Sequence, residues 1–310
     1  MQKNHILITG ANGFVGRHLH RELIARGFRV SSAVRSNFHK NDLVADHYIL
    51  DLTDKSKVIE IIGSLKPDYV FHLAAEKNRN NEPKSSTKNY DANILMASNL
   101  INACRNLVNF KRFVFLGSCE EYGLGPRPYN ENQHEFPVGA YGLSKLAITK
   151  LLLSLYHTEL FPSVVLRPSV IYGPEQNDEM FVPSLIQSLL YKRDFLMTFG
   201  EQLRDFVYIN DVIEALIKTL SADEQINGNV INIGLGFSYK INHIAKITAN
   251  LISPNVLSRL KFGEMEYRPN EVMDYSLNIS LASKLLEWEP KVDVEEGIRK
   301  TIAYFKQSNI

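Results

Sequence analysis

The first apolar run of the chain leads directly into three spaced glycines and then into a helical pattern. Gly10 permits a tight turn, Gly13 lets the backbone approach a pyrophosphate, and Gly16 permits close packing of helix on strand. The helix that begins at Phe14 and Val15 offers free N–H groups and a positive dipole end to an anion. This order of strand, turn and helix predicts a dinucleotide-binding turn at the start of a parallel sheet.

Strand-like runs alternate with helix-length segments through the first half of the chain. The predicted strands are His5–Thr9, Arg29–Ala33, His47–Leu50, Tyr69–Leu73, Arg112–Leu116 and Val164–Arg167. The predicted helices are Phe14–Arg26, Lys55–Leu65, Thr87–Asn106 and Tyr141–Thr158. Helices of this length between strands predict right-handed βαβ units and an α/β fold with a doubly wound parallel (Rossmann) sheet. The strands are continuous apolar runs, as expected for a sheet covered on both faces.

The rhythm changes after Gly173-Pro174, where shorter elements are separated by further glycines and prolines. Helices are predicted at Pro183–Tyr191, Asp211–Leu220, Asn242–Leu251, Leu281–Leu286 and Val294–Phe305, and strands at Phe206–Ile209 and Val230–Ile233. We expect residues 1–172 with about 205–233 to form the dinucleotide-binding domain. Residues from about 173 to 204, with 234–310, are expected to form a smaller C-terminal α/β substrate-binding lobe.

The charge balance argues against whole classes of partner. The 35 lysines and arginines nearly match the 34 acidic residues, so no general field attracts nucleic acid or an anionic membrane. The two cysteines, Cys104 and Cys119, form neither a disulfide framework nor a metal-ligand cluster. Residues 1–5 lead straight into the first strand without a signal-peptide core, and no apolar run has the length of a membrane span. We expect a soluble, cytoplasmic protein without a metal.

The end of the second predicted strand bears on the choice of cofactor. Val34, followed by Arg35, stands where an acidic residue would hold the 2′-hydroxyl of the adenosine ribose. An acid there would repel a 2′-phosphate, whereas an arginine attracts it, so NADP is favoured over NAD. The alternative is that Arg35 is a solvated surface residue and that the cofactor is NAD. Asp51 and Leu52, which end the third strand, are expected at the adenine edge.

Tyr141 and Lys145 stand four positions apart on a predicted helix and therefore share a face. A cation beside a phenol lowers the phenol's pKa, so that the tyrosine can exchange a proton with a substrate oxygen while a hydride moves at the adjacent carbon. Ser118 ends the fifth strand, and the carboxyl ends of parallel strands are where open α/β sheets bind their ligands. These three residues are the predicted catalytic groups.

At this point the chain resembles the extended short-chain dehydrogenase/reductase family, which includes sugar-nucleotide epimerases, 4,6-dehydratases and 4-ketoreductases. The resemblance covers nearly the whole chain. It rests on the glycine turn, Asp51-Leu52, His72-Leu73-Ala74-Ala75, Asn93, the Ser118 strand, Tyr141 with Lys145, Arg167-Pro168 through Tyr172-Gly173-Pro174, Arg204-Asp205-Phe206-Val207, and Arg268. It implies a nicotinamide-dependent enzyme that acts on a nucleotide-linked sugar.

The family's functional residues carry over position by position. Tyr141 matches the acid/base, Lys145 the residue that tunes it and holds the ribose, and Ser118 the residue that hydrogen-bonds the reacting sugar oxygen. Arg204 and Arg268 match positions that clamp the substrate diphosphate, a task suited to bidentate guanidinium groups. Further implied cofactor contacts are Leu73, Ala74, Ala75 and Pro168, and further implied substrate contacts are Cys119 and Glu120.

The residues after Ser118 disfavour a dehydratase. Dehydratases of this family typically follow the catalytic hydroxyl with an acid and a glutamate that eliminate water, and here those positions hold Cys119 and Glu120. A thiol is a poor proton donor to a leaving hydroxyl. Glu120 is then expected to bind substrate hydroxyls or to be a loop charge.

A 4-ketoreductase acting on a nucleotide-linked 4-keto, 6-deoxy sugar is the expected activity. Arg35 suggests NADPH, whereas the epimerases of the family generally retain NAD. The tail, from Phe262 through Arg268 to Pro290, is similar to that of nucleotide-linked 4-keto-6-deoxyhexose reductases. Val170 departs from the asparagine that epimerases and dehydratases usually carry there. An epimerase or a dehydratase remains an alternative, as does a non-catalytic NADP-binding sensor, although a sensor would be expected to lose Tyr141 or Lys145.

A homodimer is also expected, because family members pair the two long helices predicted at Thr87–Asn106 and Tyr141–Thr158. These helices carry more apolar residues than one buried stripe needs. The residues are Ile94, Leu95, Leu100, Ile101, Leu146, Ile148, Leu152 and Leu155. The alternative is that the sheet or the small lobe covers all of them.

Overall fold

The computed structural model describes residues 4–35, 46–76 and 83–308, so residues 1–3 of the predicted N-terminal segment lie outside it. Its strands are β1 (His5–Thr9), β2 (Arg29–Val34), β3 (Asp46–Ile49), β4 (Tyr69–His72), β5 (Arg112–Leu116), β6 (Ser163–Pro168), β7 (Val170–Tyr172), β8 (Phe195–Met197), β9 (Leu203–Tyr208), β10 (Asn229–Ile233), β11 (Ser238–Lys240), β12 (Leu260–Phe262) and β13 (Asp274–Tyr275). Its helices are α1 (Phe14–Ala25), α2 (Lys55–Leu65), α3 (Pro83–Arg105), α4 (Ala140–Glu159), α5 (Phe181–Leu190), α6 (Ile209–Lys218), α7 (Ile241–Ile252), α8 (Ser280–Leu286) and α9 (Val294–Ser308).

A seven-stranded sheet lies at the centre, in the order β10-β6-β5-β4-β1-β2-β3, and all its neighbouring pairs are parallel. Successive residues of β1 enter opposite cores: Ile6 and Ile8 pack with Leu19 of α1, whereas Leu7 packs with Leu100 of α3. Burial on both faces explains why the strand is apolar without alternation. The predicted doubly wound parallel fold is confirmed.

A second, smaller sheet lies beyond the central one, with β9 paired to β7, β11 and β13, and β8 pairs separately with β12. Residues 170–172 and 205–208, assigned in the sequence to the dinucleotide-binding domain, therefore form strands of the smaller sheet. Strands of two or three residues are too short to show a hydrophobic period, which is why β7, β8, β11, β12 and β13 escaped prediction. The division into two domains remains a prediction.

Most element boundaries differ from expectation by one or two residues, and two of the helices that begin earlier than predicted have a proline in their first turn. The helix predicted from Pro183 begins at Phe181, and the helix predicted from Thr87 begins at Pro83. Both prolines lie in the first turn of a helix, where an N–H has no intrahelical partner, so the missing donor costs nothing. Among the described residues, none of the helices combines the length and apolar character required to cross a bilayer.

Candidate active site

The glycine turn brings two strand ends into backbone contact. Gly10 has φ +72°, in the left-handed region that favours glycine. A Cβ added at Gly10 would lie 2.7 Å from the backbone nitrogen of Ala74, just after β4. Gly16 is equally constrained, because its added Cβ would overlap the carbonyl oxygen of Gly10. The turn thus needs glycine for its own geometry before any ligand is considered.

The first turn of α1 is suited to an anion. Its N-cap is Gly13, which has no side chain to accept a hydrogen bond from the helix, and its first turn contains no acidic residue. The N–H groups that begin the helix at Phe14 and Val15 therefore point out of an uncapped, positive helix end. These features fit the pyrophosphate of a dinucleotide, as the sequence predicted.

Arg35, at the end of β2, does not stand alone in the structure. Its guanidinium is paired with the Glu76 carboxylate, which follows β4, and the Arg35 side chain is 70% exposed. A 2′-phosphate would therefore compete with Glu76 for this arginine. Asp51 accepts hydrogen bonds from the hydroxyl and the backbone N–H of Thr53, and these bonds lower the pKa of Asp51. Its carboxylate thus closes the turn after β3, beside buried Leu52.

Lys145 is a buried cation beside Tyr141. Lys145 is 2% exposed, and its Nζ donates a 2.7 Å hydrogen bond to the carbonyl oxygen of Leu116 at the end of β5. The same Nζ lies 4.6 Å from the centre of the Phe115 ring and 5.7 Å from that of the Tyr141 ring. The charge of Lys145 is therefore held between the end of β5 and the predicted acid/base.

Ser118 begins a short 3₁₀ turn, Cys119–Glu121, and its hydroxyl accepts a hydrogen bond from the Glu120 N–H at 3.2 Å. The start of α4 packs against this turn, since a Cβ added at Gly142 would lie 2.6 Å from the carbonyl oxygen of Glu120. The structure thus gathers the three predicted catalytic residues at the carboxyl end of β5. Pro168, buried at the end of the neighbouring β6, borders the same edge.

Asn93 of α3 joins the two sides of this site. Its amide oxygen accepts from the N–H of Glu76 at 2.7 Å, and its Nδ2 donates to the carbonyl oxygen of Glu76 and to the Ser144 hydroxyl. Ser144 in turn donates to the carbonyl oxygen of Tyr141 at 2.8 Å. The segment Leu73–Glu76, which includes the predicted cofactor contacts Ala74 and Ala75, is therefore tied to the helix that carries Tyr141.

His72, at the end of β4, is uncharged at neutral pH. Burial, with a smaller effect from the charge of Lys145, lowers the pKa of His72 to about 3. Its ring stacks on Phe115, and its Nδ1 lies 2.8 Å from the Thr9 hydroxyl. His72 therefore packs beneath the site as an uncharged side chain and does not repel the positive charge of Lys145.

Arg204 and the backbone of Arg268 both contact Glu271. The Arg204 guanidinium is paired with the Glu271 carboxylate and lies 4.7 Å from the centre of the Tyr275 ring. The Glu271 N–H donates to the carbonyl oxygen of Arg268, whose residue is exposed. Arg204 is largely buried, so a diphosphate would reach it beside a carboxylate that the sequence had not singled out.

Cys119 and Glu120, both predicted to contact substrate, differ in exposure. Cys119 is 5% exposed and packs in a small core with Tyr122, Tyr129 and Leu277, whereas Glu120 is half-buried. Because so little of Cys119 is exposed, a substrate hydroxyl has little access to its thiol. Contact of either residue with substrate stays a prediction.

Two buried acids within or beside the recognised motifs were assigned no role by sequence reasoning. Asp205 accepts hydrogen bonds from the Ser169 hydroxyl and from the N–H groups of Leu235 and Gly236, and burial raises the pKa of Asp205 to about 6. Glu121 is fully buried and closes a capping box with Ser118. A serine followed three positions later by a glutamate is a recognisable capping signal, so Glu121 could have been found.

Comparisons with known proteins identify the family and its sequence relatives. Residues 6–234 match the model of the family described as the NAD dependent epimerase/dehydratase family. The chain is 30% identical over 319 residues to a putative UDP-glucose 4-epimerase of Methanocaldococcus jannaschii, covering 98% of this chain and 99% of that protein. It is 28% identical over 326 residues to the UDP-N-acetyl-alpha-D-glucosaminuronate decarboxylase of Bacillus cytotoxicus, covering 98% of both. It is 25% identical over 305 residues to the CDP-abequose synthase of Salmonella muenchen, covering 96% of this chain and 97% of that protein.

Solved structures of nucleotide-sugar epimerases superpose on nearly the whole chain. A UDP-glucose 4-epimerase of Thermotoga maritima with UDP-glucose superposes with a TM-score of 0.90 at 26% identity, covering 99% of this chain and 100% of that one. A UDP-glucose 4-epimerase of Thermus thermophilus in complex with NAD superposes with a TM-score of 0.87 at 25% identity, covering 97% and 99%.

Proposed function

The chain belongs to the NAD-dependent epimerase/dehydratase family, and from this premise we propose that it is a nucleotide-sugar 4-epimerase with a tightly held nicotinamide cofactor. The observation that carries the proposal is the convergence of Ser118, Tyr141 and Lys145 at the carboxyl end of β5, beside the glycine turn. Sequence reasoning favoured a 4-ketoreductase and kept the epimerase as an alternative. The similarity to 4-epimerases along nearly the whole chain fits that alternative better.

In the proposed reaction the chain's own residues handle the proton and the orientation of the sugar. A nicotinamide cofactor, held at its pyrophosphate by the glycine turn and the first turn of α1, would supply reversible hydride transfer at C4 of the sugar. Tyr141, deprotonated beside the Lys145 ammonium, takes the proton of the 4-hydroxyl and later returns it. Ser118 hydrogen-bonds the same oxygen and so fixes the sugar carbon relative to Tyr141. Arg204 and Arg268 hold the diphosphate. The sugar ring can then rotate about its link to the diphosphate after C4 has been oxidised and before it is reduced on the other face.

A dehydratase is the weaker alternative, because elimination needs a proton donor at the leaving hydroxyl. In this chain the position next to Ser118 is Cys119, whose thiol is buried against Tyr122 and Tyr129. A 4-ketoreductase is the second candidate, and Arg35 at the 2′-ribose position is the observation that favours it. In both candidates Tyr141 would donate a proton to the C4 oxygen as a keto sugar is reduced. The epimerase would first remove that proton and a hydride from the same sugar, whereas the reductase would receive its hydride from exogenous NADPH.

Product analysis distinguishes the candidates. The protein is incubated with NAD or NADPH and with UDP-glucose, UDP-galactose, UDP-N-acetylglucosamine, UDP-glucuronate or a nucleotide-linked 4-keto-6-deoxy sugar. We expect formation of a 4-epimer from one of the UDP-sugars, detected by NMR, without net consumption of cofactor. Stoichiometric oxidation of NADPH by the keto sugar alone would replace the epimerase with the reductase. Failure to convert any of these sugars would contradict both.

Arg35 is expected to contribute more to the binding of NADP(H) than to that of NAD(H). Arg35→Glu puts a negative charge where the positive one was. This reversal repels the 2′-phosphate of NADP(H), which NAD(H) lacks. Loss of one charge-assisted hydrogen bond corresponds to about a tenfold to hundredfold weaker affinity for NADPH, with little change for NADH. Fluorescence titration with both cofactors measures the difference.

The matched control is Arg29→Glu, the same charge reversal at the exposed start of β2, the opposite end from Arg35. It should leave both affinities within about twofold, because the charge lies farther from the site than a Debye length of about 8 Å. Equal weakening of NADPH and NADH by Arg35→Glu would show that Arg35 does not recognise the phosphate and would favour NAD.

We also propose a homodimer formed through α3 and α4. The protein's own core covers Leu100, Ile101, Ile148 and Leu152. Leu95 and Leu143, however, are each 46% exposed, on two helices that pack against one another. A two-fold dimer would use this surface twice and close on itself, and it would brace the helix that carries Tyr141 and Lys145.

Light scattering at micromolar concentration is expected to give twice the monomer mass, and Leu95→Glu should shift the protein toward the monomer and lower its activity. Leu196→Glu is the control, because Leu196 is similarly exposed (53%) but lies on β8, away from both helices. A monomeric wild-type protein with full activity would refute the proposed dimer.

A further inference from the structure

The Glu121 carboxylate reaches back to the backbone of Ser118. Its Oε1 accepts a 2.9 Å hydrogen bond from the Ser118 N–H, while the Ser118 hydroxyl accepts from the N–H of Glu120. Glu121 is fully buried, and Gly117 leaves the space for it, since a Cβ there would overlap Oε1. Both the backbone N–H and the side-chain hydroxyl of Ser118 are therefore fixed by hydrogen bonds within the turn.

The other oxygen of Glu121 contacts two further elements of the site. Oε2 accepts from the Thr149 hydroxyl at 2.8 Å and from Nε and Nη2 of Arg167 at 2.8 and 2.7 Å. Thr149 lies one helical turn beyond Lys145 on α4, and Arg167 lies on β6. A single carboxylate thus joins the end of β5, the helix of Tyr141 and Lys145, and the neighbouring strand.

The charged residues around Glu121 form a network of ion pairs. Arg167, which is also fully buried, makes a second contact to Glu135 at 3.0 Å, and Glu135 accepts from Lys150 at 2.9 Å. Burial alone would raise the pKa of Glu135, but Lys150 and Arg167 hold it below its usual value. The charge of Arg167 also acts on the nearby Glu131. Glu121 itself is paired directly with a buried cation, and this pairing holds its carboxylate in place.

We propose that Glu121 is a positioning residue for the reaction: it fixes the Ser118 backbone, and through it the Ser118 hydroxyl, relative to Tyr141 and Lys145 on α4. The inference rests on the proposed function, because it assigns Ser118 a place at the reacting oxygen. The Ser118 hydroxyl must hydrogen-bond a sugar oxygen in the transition state, so its position relative to Tyr141 matters. A shift of about 1 Å can lower the rate about a hundredfold. Glu121 itself touches neither substrate nor cofactor in this account.

Glu121→Gln tests the proposal. A glutamine offers one acceptor oxygen, and the charged Arg167 guanidinium, which has no acceptor for the glutamine NH2, keeps it. The NH2 then faces the Ser118 N–H, which loses its partner. With the UDP-sugar that wild-type protein converts fastest among the four named above, we expect kcat to fall about 10- to 100-fold. KM and the Kd for NADH should change little.

The double variant separates positioning from a general structural role. In a Ser118→Ala background, Glu121→Gln should lower kcat by less than about threefold, because the hydroxyl that it positions is gone. Glu135→Gln is the matched control, since it alters the same buried network without touching Ser118, and it should lower the melting temperature while kcat stays within about threefold. Equal losses of kcat from Glu121→Gln in both backgrounds would overturn the proposal.

Two further measurements test the positioning role if Glu121→Gln fails to fold or if none of the named sugars is the substrate. Thr149→Val removes a neutral donor to Glu121 and keeps all charges, and it should give a smaller loss of kcat that also vanishes without the Ser118 hydroxyl. Amide hydrogen exchange needs no substrate, and exchange of the Ser118 N–H should be at least tenfold faster in Glu121→Gln than in wild type. Unchanged exchange would overturn the positioning role even if no sugar is converted, whereas faster exchange without any sugar conversion would leave only the proposed function at fault.

Discussion

Replacing Tyr141 with phenylalanine is expected to lower kcat for the nucleotide sugar by about two to four powers of ten, as loss of a general acid/base does. The phenol is the group placed beside the buried Lys145 ammonium, 5.7 Å from ring centre to Nζ. Phenylalanine keeps the ring and its packing but removes the proton-transferring oxygen. Steady-state kinetics on the UDP-sugar give the effect directly.

Binding should be nearly unchanged in Tyr141→Phe, because the glycine turn and the two arginines remain. Tyr156→Phe is the control, since it removes a phenol from the same helix, α4, about four turns away from the site. It should keep kcat within about twofold. Near-normal turnover in Tyr141→Phe would remove Tyr141 from the mechanism.

The second large effect is expected from Gly10→Ala. The left-handed backbone at φ +72° costs a residue with Cβ ~1–2 kcal/mol, and displacing main chain from the added methyl costs a further ~1–3 kcal/mol. The methyl would meet the backbone of Ala74, which cannot move as a flexible side chain could. We expect the free energy of unfolding to fall by about 2–5 kcal/mol and affinity for NADH to fall at least about tenfold.

Gly63→Ala is the matched control for Gly10→Ala. Gly63 is an exposed residue inside α2, and a Cβ there would meet no atom within 4 Å. Alanine should therefore stabilise the protein by about 0.5–1 kcal/mol through helix propensity. Urea unfolding compares both variants with wild type, and equal stability of Gly10→Ala and wild type would contradict the close approach of the two backbones.

The central sheet could be predicted because its signals are local. A continuous apolar run such as β1, a glycine turn and an amphipathic helix lie next to one another in the sequence, and each follows from backbone chemistry alone. The neighbouring placement of Tyr141 and Lys145 could be predicted in the same way, because a spacing of four residues on a helix places two side chains on one face. Their catalytic roles stay a prediction.

The partners of the charged residues could not be predicted, because they depend on contacts far apart in the sequence. Arg204 and Glu271 are separated by 67 positions, and Glu121 and Arg167 by 46. Arg35 looked from the sequence like an unopposed phosphate ligand, whereas the fold brings Glu76 against it. Opposite charges this far apart in the sequence pair only once the strands have their order, so the sequence overstated the case for NADP.

The most direct test of the proposed epimerase follows the hydrogen at C4. UDP-glucose carrying deuterium at C4 is incubated with the protein and catalytic NAD, and the products are examined by NMR. We expect UDP-galactose, or the 4-epimer of whichever UDP-sugar is the substrate, with deuterium still at C4, because the hydride returns to the carbon that it left. Loss of the deuterium to water during conversion would contradict reversible hydride transfer at this site.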